Sequence, residues 1–159
     1  MLWQGGEPTL RGLPFFERLI ELCEKYRRPT QEVRHAIQTN GTLITEQWAR
    51  FFKDNDVLVG ISIDGPAPLH DAYRLNRGGH GTHSMVIRGW EHLRNADVDT
   101  NILCTVHAAN ENHGLEVYRY FRDELEAQYM QFIPIVERVP REHLRQAELG
   151  WRSGSSALL

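Results

Sequence analysis

The sequence predicts an α/β protein whose parallel strands are joined by helical crossovers, and three observations lead to this prediction. Strand-like apolar runs alternate with amphipathic helix-like runs, the pattern of a parallel sheet. Two strand-like runs, 57–63 and 102–106, are apolar almost throughout, as buried parallel strands are. Polar residues follow the predicted strands directly. Both β/α barrels and doubly wound sheets fit, and both bind ligands at the carboxyl ends of their strands.

Hydrophobic spacing sets the boundaries of the predicted elements. The predicted strands are residues 1–3, 33–38, 57–63, 100–106 and 129–136. The predicted helices are residues 12–26, 45–54, 82–95 and 114–125. Thr45 suits the N-cap of the second helix, and Pro134 is acceptable only at a strand end, bulge or edge. Residues 69–77 are predicted to be irregular, with a mobile glycine-rich loop behind them.

Composition limits the classes of function. The 159 residues carry a net charge of −3, so no basic field indicates a nucleic-acid partner or an acidic membrane surface. No apolar run approaches the ~20 residues that cross a bilayer. No signal peptide is visible, and we expect a cytoplasmic protein. Cys23 and Cys104 are predicted to be core thiols, and neither they nor the eight histidines have metal-ligand spacing.

The first predicted strand is followed by Gln4, Gly5, Gly6, Glu7 and Pro8. Paired glycines let a ligand approach the main chain, Glu7 offers a negative charge to a ligand ammonium group, and the proline stiffens the loop. The same residue types occur in ordinary turns, so this motif alone is weak evidence for a binding site.

Two further polar sets end the second and third predicted strands: residues 38–41, and Ser62 with Asp64. A further polar residue, Gln131, lies within the fifth predicted strand. The pairs Asn40-Gly41 and Asp64-Gly65 are also common turn formers. Because the carboxyl ends of parallel strands share one edge of the sheet, several such sets together predict a binding site there.

Five segments follow one another along the chain: residues 3–10 (WQGGEPTL), 38–43 (QTNGTL), 60–66 (GISIDGP), 70–74 (HDAYR) and 131–137 (QFIPIVE). In this order they resemble one family, the radical S-adenosylmethionine enzymes that mature sulfatases under anaerobic conditions. The Gly-Gly-Glu-Pro run is shared across the superfamily, and the Ile-Ser-Ile-Asp-Gly-Pro run is more specific. The resemblance implies a partial (β/α) barrel of the radical SAM type whose first strand is missing.

The resemblance also implies a chemistry. Members of this family use a [4Fe–4S] cluster to cleave S-adenosylmethionine, and the resulting radical takes hydrogen from the Cβ of a sulfatase Cys or Ser, which becomes Cα-formylglycine. The implied partners are a sulfatase polypeptide and an electron donor such as flavodoxin or ferredoxin.

Site residues follow from the matched positions. The resemblance implies that Gly5, Gly6 and Glu7 bind the methionine amino group of the cofactor. It likewise assigns the methionine carboxylate to Ser62 and Arg74, and the adenine contact to Ile135. A guanidinium can hold a carboxylate through two parallel hydrogen bonds.

The remaining matched positions lie at the mouth of the site. Gln4 matches a position beside the substrate peptide, and Asn40 and Asp64 are expected near the same opening. No residue of this chain is assigned a catalytic or metal-ligating role.

Two features of the family are absent from the sequence: the Cys-x-x-x-Cys-x-x-Cys loop and the C-terminal auxiliary-cluster region. We therefore expect residues 1–140 to be a partial radical SAM core, residues 141–159 to form a polar helix and a disordered tail, and the isolated chain to be inactive. The alternatives are part of a radical SAM enzyme that matures another peptide, and a non-catalytic β/α remnant that only binds partners.

Overall fold

A computed structural model describes residues 1–135, and these form an open parallel sheet with helical crossovers. The strands are β1 (Leu2–Trp3), β2 (His35–Thr39), β3 (Val57–Ser62), β4 (Thr100–Val106) and β5 (Met130–Pro134). The helices are α1 (Leu13–Tyr26), α2 (Glu46–Asp54), α3 (Ala67–His70), α4 (His83–Asn95) and α5 (Gly114–Arg119). This confirms the predicted fold class.

The five strands lie in sequence order, and every neighbouring pair is parallel. The sheet is not closed within the described residues, so β1 and β5 are its edges. Pro134 is the last residue of β5, where a missing amide donor is tolerated. In this arrangement the loops after β1, β2, β3 and β4 all lie at the edge of the sheet formed by the carboxyl ends of the strands, which we call the rim.

The outer face of the sheet packs against the helices and forms the core. Alternate residues of β3 point outward and are almost fully buried, among them Val57, Val59 and Ile61. Aromatic rings of α1 and α2 cover this face: Phe16 and Trp48 meet edge to face at 5.5 Å between centroids. The inner face carries polar and exposed apolar side chains, including Leu58 at 46% exposure.

Several boundaries differ from the prediction. A 3₁₀ turn at Pro8–Arg11 precedes α1, and the segment predicted to be irregular begins with the short helix α3. The last predicted helix is α-helical only over α5 and widens into a π-helical turn at Tyr120–Glu124. That turn still buries Tyr120 and Phe121, so the hydrophobic spacing was satisfied by another backbone geometry.

The two cysteines differ in environment. Cys104 lies in the core, and burial raises the pKa of its thiol to about 12. Cys23 is only partly buried and lies on α1, with its Sγ 3.3 Å from the Met1 Sδ. The prediction of a core thiol was wrong for Cys23, because α1 ends beside the edge strand β1 and its last turns are covered only on one side. The predicted tail at 141–159 lies outside the described residues.

Within residues 1–135, no helix is both long enough and apolar enough to cross a membrane.

Two glycines allow α4 to approach the turn after β2. A Cβ built on Gly89 would lie 2.4 Å from the Gly41 carbonyl oxygen. Gly41 itself has a φ of +75° and would bring a Cβ to 2.6 Å from the Ile61 Cδ1 atom. This close contact fixes the turn that carries Asn40 at the rim.

We expect Gly89→Ala to destabilise the fold by about 1–3 kcal/mol, because the added methyl group must displace main-chain atoms of the turn. Urea unfolding of the purified chain measures this. The matched control is Gly114→Ala at the first residue of α5, where nothing lies within 4 Å of the new Cβ. Equal unfolding midpoints for Gly89→Ala and Gly114→Ala would contradict the close approach.

Candidate functional site

The predicted site residues lie along one rim of the sheet. Gln4 to Glu7 follow β1, Asn40 follows β2, Ser62 is the last residue of β3, and Ile135 follows β5. Neighbouring strands are about 4.8 Å apart, so the ends of β2, β3 and β4 lie within about 10 Å of one another. The structure therefore brings the predicted residues to the same edge.

The carboxylate of Glu7 is held inside the glycine loop. Its Oε1 accepts hydrogen bonds from the Thr9 amide at 3.0 Å, the Thr9 hydroxyl at 2.6 Å and the Thr39 hydroxyl at 2.7 Å. Its Oε2 accepts from the Asn40 amide at 2.7 Å. Glu7 therefore ties the loop after β1 to the end of β2. Because a carboxylate accepts about four hydrogen bonds, little of its capacity is left for a ligand.

The main chain at Gly5 and Gly6 is open. Both residues have positive φ, +105° and +58°, and a Cβ at either position would have nothing within 4 Å. Glycine adopts this left-handed backbone without strain. The loop at Gly5 and Gly6 therefore leaves its main chain accessible.

Asp64 and Arg74 form a buried ion pair. The Arg74 Nε donates to Asp64 Oδ2 at 2.5 Å, and its Nη2 donates to Asp64 Oδ1 at 3.1 Å. Nη2 also donates to the Thr105 hydroxyl at 3.2 Å. The Asp64 side chain is 2% exposed and that of Arg74 13% exposed. Within residues 1–135, Nη1 of Arg74 makes no hydrogen bond.

The surroundings keep Asp64 ionised. Burial alone would raise the pKa of Asp64, but His107, the charge and hydrogen bonds of Arg74 and the Thr105 amide together hold this pKa below its ordinary value. The Thr105 amide donates to Oδ1 at 2.8 Å. The Nε2 of His107 lies 3.6 Å from Oδ2, too far for a hydrogen bond, so Arg74 is the main partner.

Asn110 fastens the loop after β4 to this ion pair. Its Nδ2 donates to the Asp64 carbonyl at 3.0 Å and to the Thr105 carbonyl at 2.9 Å. Its Oδ1 accepts from the His107 amide at 2.8 Å. Asn110 is 3% exposed, and it stabilises the loop geometry that presents Arg74.

His70 is a neutral ring that supports the loop after β3. Its Nδ1 accepts a hydrogen bond from the Asp64 amide at 3.3 Å, and its Nε2 lies 3.2 Å from the Thr82 hydroxyl. The ring is fully buried. Burial first, and then the charges of Arg74 and His83, lower the pKa of His70 to about 4, against the opposing charges of Asp64 and Asp71.

Protonation of His70 should make the fold sensitive to acid. The unfolded chain binds a proton at this residue near pH 6.5 and the native state only near pH 4. Stability is therefore complete above about pH 6.5 and falls as the pH decreases through this window, by up to about 1.4 kcal/mol per unit. Urea unfolding between pH 7.5 and 5 measures the slope.

The matched variants for this pH series are His70→Gln and His80→Gln. His80 is exposed, so its replacement should leave the slope unchanged, whereas His70→Gln should flatten it. Two variants with the wild-type slope would show that His70 does not cause the acid sensitivity.

Ser62 has a partner on the neighbouring strand that sequence inspection did not reveal. The Gln38 Nε2 donates to the Ser62 Oγ at 3.1 Å. Gln38 lies opposite Gly60 in the register of β2 and β3. The sequence indicated only that Gln38 ends a strand; its contact with Ser62 depends on a register that no local pattern specifies.

Two predicted mouth residues have structural partners. The Oδ1 of Asn40 accepts from the Thr42 amide at 3.0 Å and the Thr42 hydroxyl at 2.8 Å, which closes the turn after β2. Asp64 is buried rather than open at the mouth. Gln4 is exposed, and Ile135 is half-buried with its amide donating to the Val106 carbonyl at 3.1 Å.

A hollow of about 720 Å³ lies elsewhere, at the amino-terminal ends of β3, β4 and β5. Leu58, Asp99 and Met130 are among its lining residues. Gln131, which the sequence pattern grouped with the polar residues of the carboxyl edge, lines this hollow because it is the second residue of β5. None of the residues assigned to the cofactor or the peptide lines it. Binding at the carboxyl ends of parallel strands is the rule for such sheets, so we place the site at the rim.

No group of three or more His, Cys, Asp or Glu side chains within residues 1–135 is placed to hold a metal ion.

A parallel β/α sheet with an open glycine loop and polar side chains at the carboxyl ends of its strands has the architecture of a partial β/α barrel. The chain belongs to the radical SAM superfamily, whose family model matches residues 1–121.

Two relatives show the closer similarity. The chain is 42% identical over 137 residues to the serine-type anaerobic sulfatase-maturating enzyme of Bacteroides thetaiotaomicron, covering 86% of this chain and 33% of the relative. It is 41% identical over 140 residues to the cysteine-type enzyme of Clostridium perfringens, covering 88% of this chain and 38% of the relative. The chain thus spans about a third of the length of these curated relatives.

A solved structure has the same fold. The structure of native anSMEcpe with bound AdoMet and the Kp18Cys peptide matches with a TM-score of 0.83 at 42% identity. The match covers 86% of this chain and 38% of that chain.

Proposed function

We propose that this chain is the cofactor-binding section of a radical SAM enzyme that converts a sulfatase Cys or Ser to Cα-formylglycine. One observation carries the proposal: Ser62 ends β3, and Arg74, whose Nη1 makes no hydrogen bond within residues 1–135, pairs with Asp64 just after that strand, at the edge of the sheet that also carries the open glycine loop. The similarity to a structure with bound AdoMet supports S-adenosylmethionine as the ligand.

The residues at the rim suit the two ends of the methionine part of that cofactor. The carboxylate would accept from the Ser62 hydroxyl and from Arg74 Nη1, and such charge-assisted bonds are strong. Both hydrogens of Nη2 are already used by Asp64 and Thr105. Arg74 therefore grips through Nη1 alone rather than through two parallel bonds. The amino group would meet the carbonyls of Gly5 and Gly6, and Ile135 would contact the adenine.

The cofactor, when bound and cleaved, supplies a radical that removes hydrogen from the target residue. The chain's own residues bind and orient it. Burial of Asp64 supports a role in positioning Arg74, and a direct contact of Asp64 with substrate stays a prediction. Gln4, exposed beside the glycine loop, and Asn40 remain the proposed contacts of a sulfatase peptide.

The two cysteines of this chain do not fit as ligands of a [4Fe–4S] cluster. Cys104 is buried in the core with a raised thiol pKa, and Cys23 lies on α1 beside Met1. We therefore derive no step through a cluster. A flavodoxin or ferredoxin as electron donor and inactivity of the isolated chain stay predictions; 5′-deoxyadenosine formed by the purified 159 residues with reductant would contradict the latter.

A chimera tests the proposed function directly. The segment of the Clostridium perfringens enzyme that aligns with residues 1–135 is exchanged for this chain's residues and purified with its cluster under anaerobic conditions. We expect the chimera to form 5′-deoxyadenosine and to modify a sulfatase peptide, measured by chromatography and mass spectrometry. Peptides with Cys and Ser at the target position identify the preferred residue.

The outcomes separate the alternatives. Formation of 5′-deoxyadenosine without peptide modification would favour a radical enzyme that matures another peptide. A folded, cluster-loaded chimera that neither binds nor cleaves S-adenosylmethionine would favour a non-catalytic β/α remnant. The unmodified Clostridium perfringens enzyme, assayed in parallel, is the control.

A further inference from the structure

The side chain of Gln38 lies across the neighbouring strand β3 at Gly60. The two residues are paired in the register of β2 and β3. A Cβ built on Gly60 would lie 2.0 Å from the Gln38 Oε1 and 3.1 Å from its Cδ. The Gln38 amide therefore occupies the space that any larger residue at position 60 would fill. Glycine is required at position 60 because the Gln38 side chain crosses β3 there, whereas the backbone conformation of Gly60 is ordinary.

The passage over Gly60 lets the Gln38 amide reach the last residue of β3. Residues 60 and 62 point to the same face of the strand because side chains alternate. The Gln38 Nε2 donates to the Ser62 Oγ at 3.1 Å. Ser62 is half-buried and is the last residue of β3, so it lies at the rim.

The direction of this hydrogen bond decides what Ser62 can do. An amide NH₂ group only donates, whereas a hydroxyl has one hydrogen and two acceptor lone pairs. Since Ser62 Oγ accepts from Gln38, its single hydrogen stays available for a second partner. A carboxylate accepts only, so the hydroxyl is oriented to serve an anionic ligand.

We propose that Gln38 is a positioning residue that fixes the Ser62 hydroxyl as a donor to the carboxylate of the bound cofactor, with Gly60 making the room for it. This inference rests on the proposed function, because it takes S-adenosylmethionine as the ligand. Gln38 acts through Ser62 and touches no reacting atom.

Two substitutions at position 38 change the bond in different ways. Gln38→Met keeps the approximate length of the side chain and removes the donor. Gln38→Glu keeps the shape and reverses the direction, because Ser62 would then donate its hydrogen to the new carboxylate. Gly60→Ala pushes the Gln38 amide away and is an independent route to the same defect.

The measurement is the affinity of the 159-residue chain and its variants for two ligands, followed by NMR titration, which detects millimolar binding. The ligands are S-adenosylmethionine and its decarboxylated form, which keeps the amine and the sulfonium. We expect Gln38→Met and Gly60→Ala to weaken the binding of S-adenosylmethionine about three- to tenfold, and Gln38→Glu to weaken it by more than about tenfold. The affinity for the decarboxylated ligand should change less than about twofold.

A double-mutant cycle separates positioning from general support of the fold. In a Ser62→Ala background, Gln38→Met should have no further effect on S-adenosylmethionine binding. Full additivity of the two substitutions, or an equal loss for both ligands, would overturn the inference. Unfolding curves of each variant show that the chain remains folded, and Gly60→Ala and Gln38→Glu replace Gln38→Met if it does not.

Wild-type behaviour tests the underlying proposal separately. If the wild-type chain binds both ligands equally, or neither of them, the proposed carboxylate site fails, and the role of Gln38 fails with it. If the wild-type chain prefers S-adenosylmethionine and the position-38 variants keep that preference, only the inference about Gln38 fails.

Discussion

Asp64→Asn is expected to lower the free energy of unfolding by about 3–5 kcal/mol, the largest stability effect predicted for this chain. The substitution keeps the shape but removes the charge, which leaves the guanidinium of Arg74 unpaired at 13% exposure. It also replaces one carboxylate oxygen with an NH₂ donor. If the amide oxygen takes the place of Oδ1, it still accepts from Arg74 Nη2 and the Thr105 amide, but the NH₂ then faces the Arg74 Nε donor and that hydrogen bond is lost. Urea unfolding at pH 7 measures the effect.

Asp97→Asn is the matched control for this prediction. Asp97 pairs with Lys53 at 2.7 Å, but its side chain is 95% exposed. Exposed pairs contribute about 0–1 kcal/mol, so this variant should unfold almost as the wild type does. Comparable losses for Asp64→Asn and Asp97→Asn would mean that burial of the Asp64–Arg74 pair does not matter to the fold.

Arg74→Lys is expected to weaken S-adenosylmethionine binding about tenfold or more, with a smaller effect on stability. A lysine can still pair with Asp64, but its single ammonium group cannot hold Asp64 and Thr105 while presenting a further nitrogen at the rim. The lost charge-assisted hydrogen bond is worth roughly 1.5–3 kcal/mol. Titration of the chain with the cofactor, followed by NMR, gives the ratio of dissociation constants.

Arg77→Lys provides the comparison for this variant. Arg77 is exposed in the loop after Arg74, so its replacement preserves net charge and should leave affinity unchanged. If Arg74→Lys unfolds as the wild type does and binds S-adenosylmethionine with unaltered affinity, then Arg74 is not part of the carboxylate site.

The hydrophobic pattern of the strands and the polar residues at their ends predicted much of the fold. The apolar run at Val57–Ser62 and the run at Thr100–Val106 were found almost to the residue, because buried parallel strands leave a clear signal. The π-helical turn at Tyr120–Glu124 leaves no such signal, since its buried residues also satisfy a normal helix. The short helix α3 follows Pro66, where the turn sequence masked it.

The sequence predicted which residues lie at the rim, but it did not predict the contacts between them. Parallel topology places Gly5 and Ser62 at one edge, and the ion pair with Asp64 brings Arg74 to the same edge. The sequence could therefore predict that these residues lie near one another. The pairing of Asp64 with Arg74 and of Gln38 with Ser62 depends on tertiary geometry, over separations of 10 and 24 residues. The Asp64-Gly65 pair is typical of a turn, so the sequence did not indicate that Asp64 is the buried partner of Arg74.

The central proposal is that the rim formed by the loops after β1 to β4 binds the amino-acid end of S-adenosylmethionine. The most direct test is an amide chemical-shift map of the ¹⁵N-labelled chain titrated with the cofactor to about 5 mM, within reach of millimolar affinity. We predict that the amides of Gly5, Gly6, Ser62 and Thr105 shift together. Shifts confined to Leu58, Asp99 and Met130 at the opposite end of the sheet, or none at all, would contradict it.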